Sequence, residues 1–136
     1  MLRSMPAVDN RFDREHVAEE IEDLGKSERD AVRSQIHRVI EHFLKLAYSP
    51  VEPRLEWMDT IDDARQTLSD KLTATLRRDA EASLQALYRQ ARRQTARSLR
   101  RYGETSAADA LPEDCPCSLD DICRDDWYPN RAEDKP

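Results

Sequence analysis

The sequence predicts an all-α fold, a small bundle of about four helices plus a short C-terminal helix. Three observations carry that expectation. Glycine occurs twice in 136 residues, and 37% of the residues are charged. Ala, Leu, Arg and Glu, all good helix formers, are prevalent. Apolar residues recur at three- and four-residue spacings along most of the chain. Aromatics make up only 6% of the sequence, so the core must be mostly aliphatic. The length fits one domain; residues 11–129 read as a single helical domain, with 1–10 and 130–136 as flexible tails.

Helix one is expected from Asp13, a plausible N-cap, to Leu24. Val17, Ile21 and Leu24 fall at i, i+4 and i+7 and form its apolar stripe. Gly25 is read as its stop. Ser27 then caps helix two through a capping-box variant in "SERD", with Asp30 at the third position. Helix two runs to about Tyr48 and has a wide stripe: Val32, Ile36, Val39, Ile40, Phe43, Leu44, Leu46 and Ala47. A face that broad touches two neighbours, which makes this the central helix. "SPVEP" ends it, because each proline biases its predecessor away from helix.

Helix three is expected over Arg54–Lys71, with Trp57, Met58, Ile61, Leu68 and Leu72 on one side. One straight rod of about 48 residues, at 1.5 Å each, would outreach a small domain, so Thr73 or Thr75 is read as the cap of a fourth helix. That helix carries Leu76, Ala80, Leu84, Leu87, Tyr88, Ala91, Thr95, Leu99 and Tyr102, and Gly103 closes it. "ETSAADALPEDCPC" reads as a loop. Ser118 caps a last short helix in "LDDICRDD", and Ile122, Trp127 and Tyr128 pin the tail to the bundle.

The net charge of -6 conceals blocks. Asp9 to Asp23 holds seven acids and two bases, a balance of -5. Leu84 to Gly103 holds six Arg and no acid, or +6. Glu104 to Pro136 holds ten acids and three bases, or -7. Such blocks complement one another within a molecule or between copies. No apolar run approaches the roughly 18–20 residues of a membrane span, and "MLRSMPAVDNRFD" lacks the apolar stretch of a signal peptide. The chain reads as cytoplasmic, with its three Cys reduced.

"AEEIEDLGKSERD" packs six carboxylates around one glycine. Helical angles sort them. With Val17 at zero, Glu15, Glu19 and Glu22 lie near about 160°, 200° and 140°, on a solvated face. Glu20 sits at about -60°, beside the stripe. Arg65 points from the middle of the helix-three stripe, and a guanidinium there needs a carboxylate or a water channel. The expectation is a semi-buried polar cluster in which Glu20 pairs with Arg65 while His42 and the Trp57 indole lie nearby. Its plain role is to fix helix register; its sharper role is a ligand or catalytic site.

These same residues carry a resemblance. "HVAEEIEDLGKSERDAVRSQIHRVIEHFLKLAYSP", "EWMDTIDDAR", "TATLRRDAEASL", "LYRQAR" and "PEDCPCSLDDICRDDWYP" resemble the bacterial domain of unknown function 29 family over roughly Arg11 to Pro129. Glu19, Glu20, Glu22, Gly25, Ser27, His42, Lys45, Trp57, Arg65, Tyr88, Cys115 and Pro129 occupy positions of the family pattern. The resemblance implies a small all-helical bacterial protein with no named activity. It also implies a further helix ahead of "MLRSM", so that either the start is set too late or this is a shortened member with an exposed groove that favours self-association. Cys117 stands where the family has an aromatic, Cys123 falls outside the pattern, and the turn before helix four has lost a proline.

Cys115, Cys117 and Cys123 give C-x-C-x5-C. Zinc wants four ligands, usually in paired spacing, so no metal or cofactor is expected; a reactive thiol would lack a nearby base. Glu-x-x-His pairs for a di-metal bundle site are missing. Arg89, Arg93, Arg97 and Arg100 share one side of helix four and form a possible anion-binding face, but the acidic total and the lack of interleaved aromatics argue against nucleic acid. The reading that follows is a non-enzymatic protein-interaction or scaffold module, homodimeric or bound to another protein. The alternative is an enzyme or ligand-binding protein with Glu20 and His42 as acid/base groups beside Arg65 as anion anchor. Third comes a nucleic-acid binder using the Arg-rich helix 89–101.

Overall fold

The computed structural model describes the backbone of residues 6–51 and 54–132, and the side chains from Leu24 onward apart from 52–53. The described residues form five helices: α1 (Pro6–Tyr48), α2 (Arg54–Lys71), α3 (Ala74–Arg101), α4 (Thr105–Asp109) and α5 (Leu119–Cys123). No strand occurs among them. The all-α bundle ending in a short C-terminal helix is therefore the architecture. The chain divides into two compact units, Met1–Ala31 and Val32–Pro136.

The first unit departs from the expected helix break. Gly25 and Ser27 lie inside α1, which is one helix through Tyr48. Gly25 does not have the positive φ of a helix stop; Gly103 does, at 80°. A single glycine costs a helix only about 1 kcal/mol relative to alanine. Helical sequence on both sides outweighs it, and Ser27 is not needed as a cap.

The second unit is built as its stripes dictate. Val32, Ile36, Val39, Ile40, Phe43, Leu44 and Leu46 of α1 are all buried. Ile61, Ala64 and Leu68 of α2 join them, together with Ala80, Leu87, Tyr88, Ala91, Ala96 and Leu99 of α3. The α2–α3 break falls at Thr73, whose extended backbone (φ -87°, ψ 169°) lets its hydroxyl accept from the Leu76 N–H at 3.1 Å. Arg33 ties α1 to α3 with two bonds to the Asp79 carboxylate, 3.0 and 2.7 Å.

After Gly103 the expected loop contains one five-residue helix, α4, which buries Ala108. Leu111 and Pro112 follow, and their carbonyls are held from α3. The Tyr88 hydroxyl donates to Pro112 O. Arg92 donates to the same oxygen at 2.9 Å and to Leu111 O at 3.3 Å. Burial pushes the Tyr88 phenol up to about 12, so it stays a donor. Ser118 caps α5 in a full capping box with Asp121.

The two glycines give opposite predictions. A Cβ at Gly25 meets nothing within 4 Å, so Gly25→Ala raises stability by about 0.5–1 kcal/mol through helix propensity. Gly103→Ala lowers it by roughly 1 kcal/mol, because alanine is strained at positive φ. Urea midpoints of the two variants check both signs; a destabilised Gly25→Ala would mean that α1 breaks there.

Candidate functional site

Arg65 lies on the buried side of α2 with Ile61, Ala64 and Leu68, and is only 3% exposed. Its guanidinium is met by the carbonyls of the C-terminal tail. Nε donates to Ile122 O at 3.0 Å; Nη2 donates to Asp121 O at 3.0 Å and to Trp127 O at 2.7 Å. The Phe43 ring lies 5.4 Å and the Tyr128 ring 5.2 Å from the guanidinium carbon. Burial lowers the Arg65 pKa, yet an arginine of this kind keeps its proton. The positive charge is thus distributed over three carbonyl dipoles and two ring faces.

The tail is shaped to deliver those carbonyls. α5 ends at Cys123, and Asp126 takes a positive φ of 63°, a conformation that Asp tolerates better than most residues. Trp127 then stacks edge-on against Phe43, with ring centroids 5.3 Å apart. The Tyr128 hydroxyl donates to the Asp62 carboxylate of α2.

Beside this clasp is a cleft of about 190 Å³. Ile40, Phe43, Leu44, Ala47 and Tyr48 form its α1 wall; Pro116, Cys117 and residues 127–130 form the other. A second cleft, about 440 Å³, is lined by Lys45, Ser49, Val51, Trp57, Ser98, Leu99, Tyr102 and Glu104. Ser49 is buried within it; its hydroxyl donates to Glu104 Oε1 at 2.6 Å and accepts from the Val51 N–H at 3.3 Å. Two of its lining residues, Val51 and Tyr102, are exposed, by 45% and 76%, and so is Leu55 of α2, by 75%.

The residues singled out from the sequence distribute as follows. The Glu20 side chain lies outside the described residues. His42 donates from Nδ1 to Arg38 O at 2.8 Å, within its own helix. Trp57 lines the second cleft. Among the described residues, no carboxylate bonds Arg65, and neither His42 nor Trp57 is one of its hydrogen-bond or ring partners. Arg89, Arg93, Arg97 and Arg100 are all exposed on α3; Arg100 pairs with Asp109 at 2.8 Å. The three thiols are free, and no group of three or more His, Cys, Asp or Glu is placed to hold a metal among the described residues.

What stands beside the Cys115 thiol is not a base but a second thiol. Cys115 Sγ and Cys117 Sγ lie 3.8 Å apart. The Cys117 thiol, by hydrogen bonding to Cys115, brings the Cys115 pKa down to about 7. The C-x-C spacing was the sequence signal for this pair.

The model of a family described as a domain of unknown function, DUF29, matches residues 7–128. The chain belongs to the DUF29 family. No curated protein and no solved structure matches it. For this DUF29 member, no helix among the described residues is long and apolar enough to cross a membrane.

Two predictions test the site. Arg65→Met leaves three tail carbonyls without a donor, at a cost of about 3 kcal/mol or more, which corresponds to a fall in Tm of roughly 10 °C. Differential scanning calorimetry reads the fall and Trp127 fluorescence the release of the tail; an unchanged Tm would remove the clasp. His42 has its pKa lowered from 6.5, chiefly by burial, with its bond to Arg38 O opposing. The unfolded chain therefore takes up this proton first as pH falls. The His42 contribution is complete above pH about 6.5 and is lost through the lower folded value. His42→Gln flattens that decline in urea midpoints measured across mildly acidic pH.

Proposed function

We propose that the protein is a non-enzymatic interaction module of the cell interior that associates with a second copy of itself through the Trp57–Tyr102 cleft. The observation that carries this reading is the pair of exposed apolar side chains lining that cleft, Val51 and Tyr102. Large apolar side chains left open beside a cleft mark a docking surface. A second copy is favoured by charge. The cleft adjoins the end of α3, within the +6 block, while the same chain carries a -5 block at 9–23 and a -7 block at 104–136. Two copies joined about a two-fold axis supply both signs to each other. Leu24, in the first unit, is also 65% exposed and gives that unit apolar surface to cover.

The engagement of Arg65 by three carbonyls supports the non-enzymatic reading, because those donors are not presented to a cleft. The free thiols support a reducing compartment.

Light scattering after size exclusion, from micromolar to hundreds of micromolar protein, is expected to show the mass rising from one chain to two, with the transition weakened by salt. The Val51→Ser/Tyr102→Ser double variant is expected to weaken dimerisation at least tenfold while keeping the helical signal. A single-chain mass throughout overturns self-association; an undiminished dimer in the variant overturns the cleft as its interface. One observation favours a second reading, binding of a nucleic-acid backbone: Arg89, Arg93 and Arg97 are exposed without an ion pair among the described residues. A low-salt gel shift with no retardation of DNA or RNA excludes it.

A further inference from the structure

Cys115 and Cys117 flank Pro116 in the segment between α4 and α5. Their sulfurs are 3.8 Å apart, and in the resting state the Cys115 thiol donates to Cys117 O at 3.3 Å. The segment is tied to α3 by the Cys115 N–H, which donates to Gln85 Oε1 at 3.1 Å. Both thiols are partly exposed, and Cys117 forms part of the wall of the smaller cleft. A disulfide needs its sulfurs about 2.05 Å apart. The remaining approach, somewhat under 2 Å, falls to a segment outside regular helix, where side-chain rotation and small backbone shifts are cheap.

The geometry points to Cys115 and Cys117 as a thiol–disulfide exchange pair that closes a disulfide with each other by reducing a small disulfide of the glutathione class. In the first step the Cys115 thiolate attacks one sulfur of glutathione disulfide. The sulfur–sulfur bond breaks, one glutathione leaves with the electron pair and takes a proton from water, and Cys115 carries the other as a mixed disulfide. In the second step Cys117 gives its proton to solvent and attacks the Cys115 sulfur. The second glutathione leaves as a thiolate and is protonated. Two protein thiols are oxidised and one glutathione disulfide is reduced to two thiols.

The surroundings assign the order. The Cys117 thiol supports a thiolate on Cys115, whose pKa is about 7 even though burial and Asp121 raise it. Burial and the same sulfur contact push Cys117 up, so it keeps its proton while Cys115 attacks. Once Cys115 is in the mixed disulfide its negative charge is gone, and Cys117 can ionise and resolve the adduct. The ionisable groups facing the pair are Asp121 of α5 and Tyr88 of α3. Cys123 bears no such sulfur neighbour and is pushed up by burial.

The test incubates the full chain in glutathione buffers of increasing oxidised fraction, quenches with acid, alkylates with N-ethylmaleimide and weighs the intact protein. The expected product is two hydrogens lighter, carries one alkyl group, and has that group on Cys123. Cys117→Ser is expected to stop as a stable glutathione adduct on Cys115; Cys115→Ser is expected to react at least tenfold more slowly; Cys123→Ser is expected to react like the parent. On the parent protein, iodoacetamide labelling of Cys115 is expected to reach half its maximal rate near pH 7. Three alkyl groups at every buffer ratio overturn the proposal. So does a parent protein that stalls as the adduct, a reaction abolished by Cys123→Ser, or labelling that rises only at the pH of an ordinary thiol.

Discussion

The structure of the second unit depends on one buried cation. Beyond Pro112 the described residues form a single five-residue helix, far too short to persist alone, and the backbone there must find partners where it crosses the core. Arg65 provides them. A planar fork with fixed donor directions reaches carbonyls at both ends of the Asp121–Trp127 stretch at once. An ammonium would reach one of these points and leave the others dry. The aromatic rings on either side exclude water from the fork, and this strengthens each of its bonds.

Burying a charge normally costs several kcal/mol. Among the described residues the groups that hydrogen-bond the guanidinium are carbonyl dipoles, which do not titrate, while the Asp62 and Asp125 carboxylates act on it through space. Asp62 takes part from a distance, by accepting from Tyr128 and fixing the ring that covers the fork. One donor nitrogen, Arg65 Nη1, is buried without a partner among the described residues. With three bonds made and one donor unmet, the balance still favours an arginine over any residue that would strand three carbonyls.

Much of this fold is legible in the sequence because its signals are local. Thr73 and Ser118 cap where hydroxyls precede helical runs, and Gly103 supplies the left-handed residue that closes α3. The stripe of α1 from Val32 to Leu46 is buried residue for residue. Gly25 shows the limit: glycine is permissive, and whether it stops a helix depends on the residues after it, which here continue the helix. α4 escaped notice because five residues give no period to read. At the site, the position of Arg65 on an apolar stripe is visible from its angle, but what meets it is not. A carboxylate can be sought by residue type, whereas a carbonyl belongs to every residue and leaves no mark in the sequence. The thiol pair is written in the C-x-C spacing, but the effect of one thiol on the other depends on the distance the fold sets between them.

The width of the α1 stripe has a further consequence. Leu44, Ala47 and Tyr48 face the cleft that holds Cys117, while Lys45 and Ser49 face the one that holds Trp57. One helix thus forms a wall of both, and successive residues, about 100° apart, open to different clefts. The two clefts are separated by a packed helix whose core positions, Leu44 and Leu46, are 2% and 0% exposed. Interiors of this kind resist continuous deformation. A change confined to the Cys115–Pro116–Cys117 segment would have to shift the end of α1 to be felt on the other side, against the Arg54–Leu46 bond of 2.6 Å and the Ser49–Glu104 bond of 2.6 Å that anchor that end. The proposed self-association and the proposed thiol exchange are therefore mechanically separate properties of one small unit, and coupling between them would require those two anchors to yield.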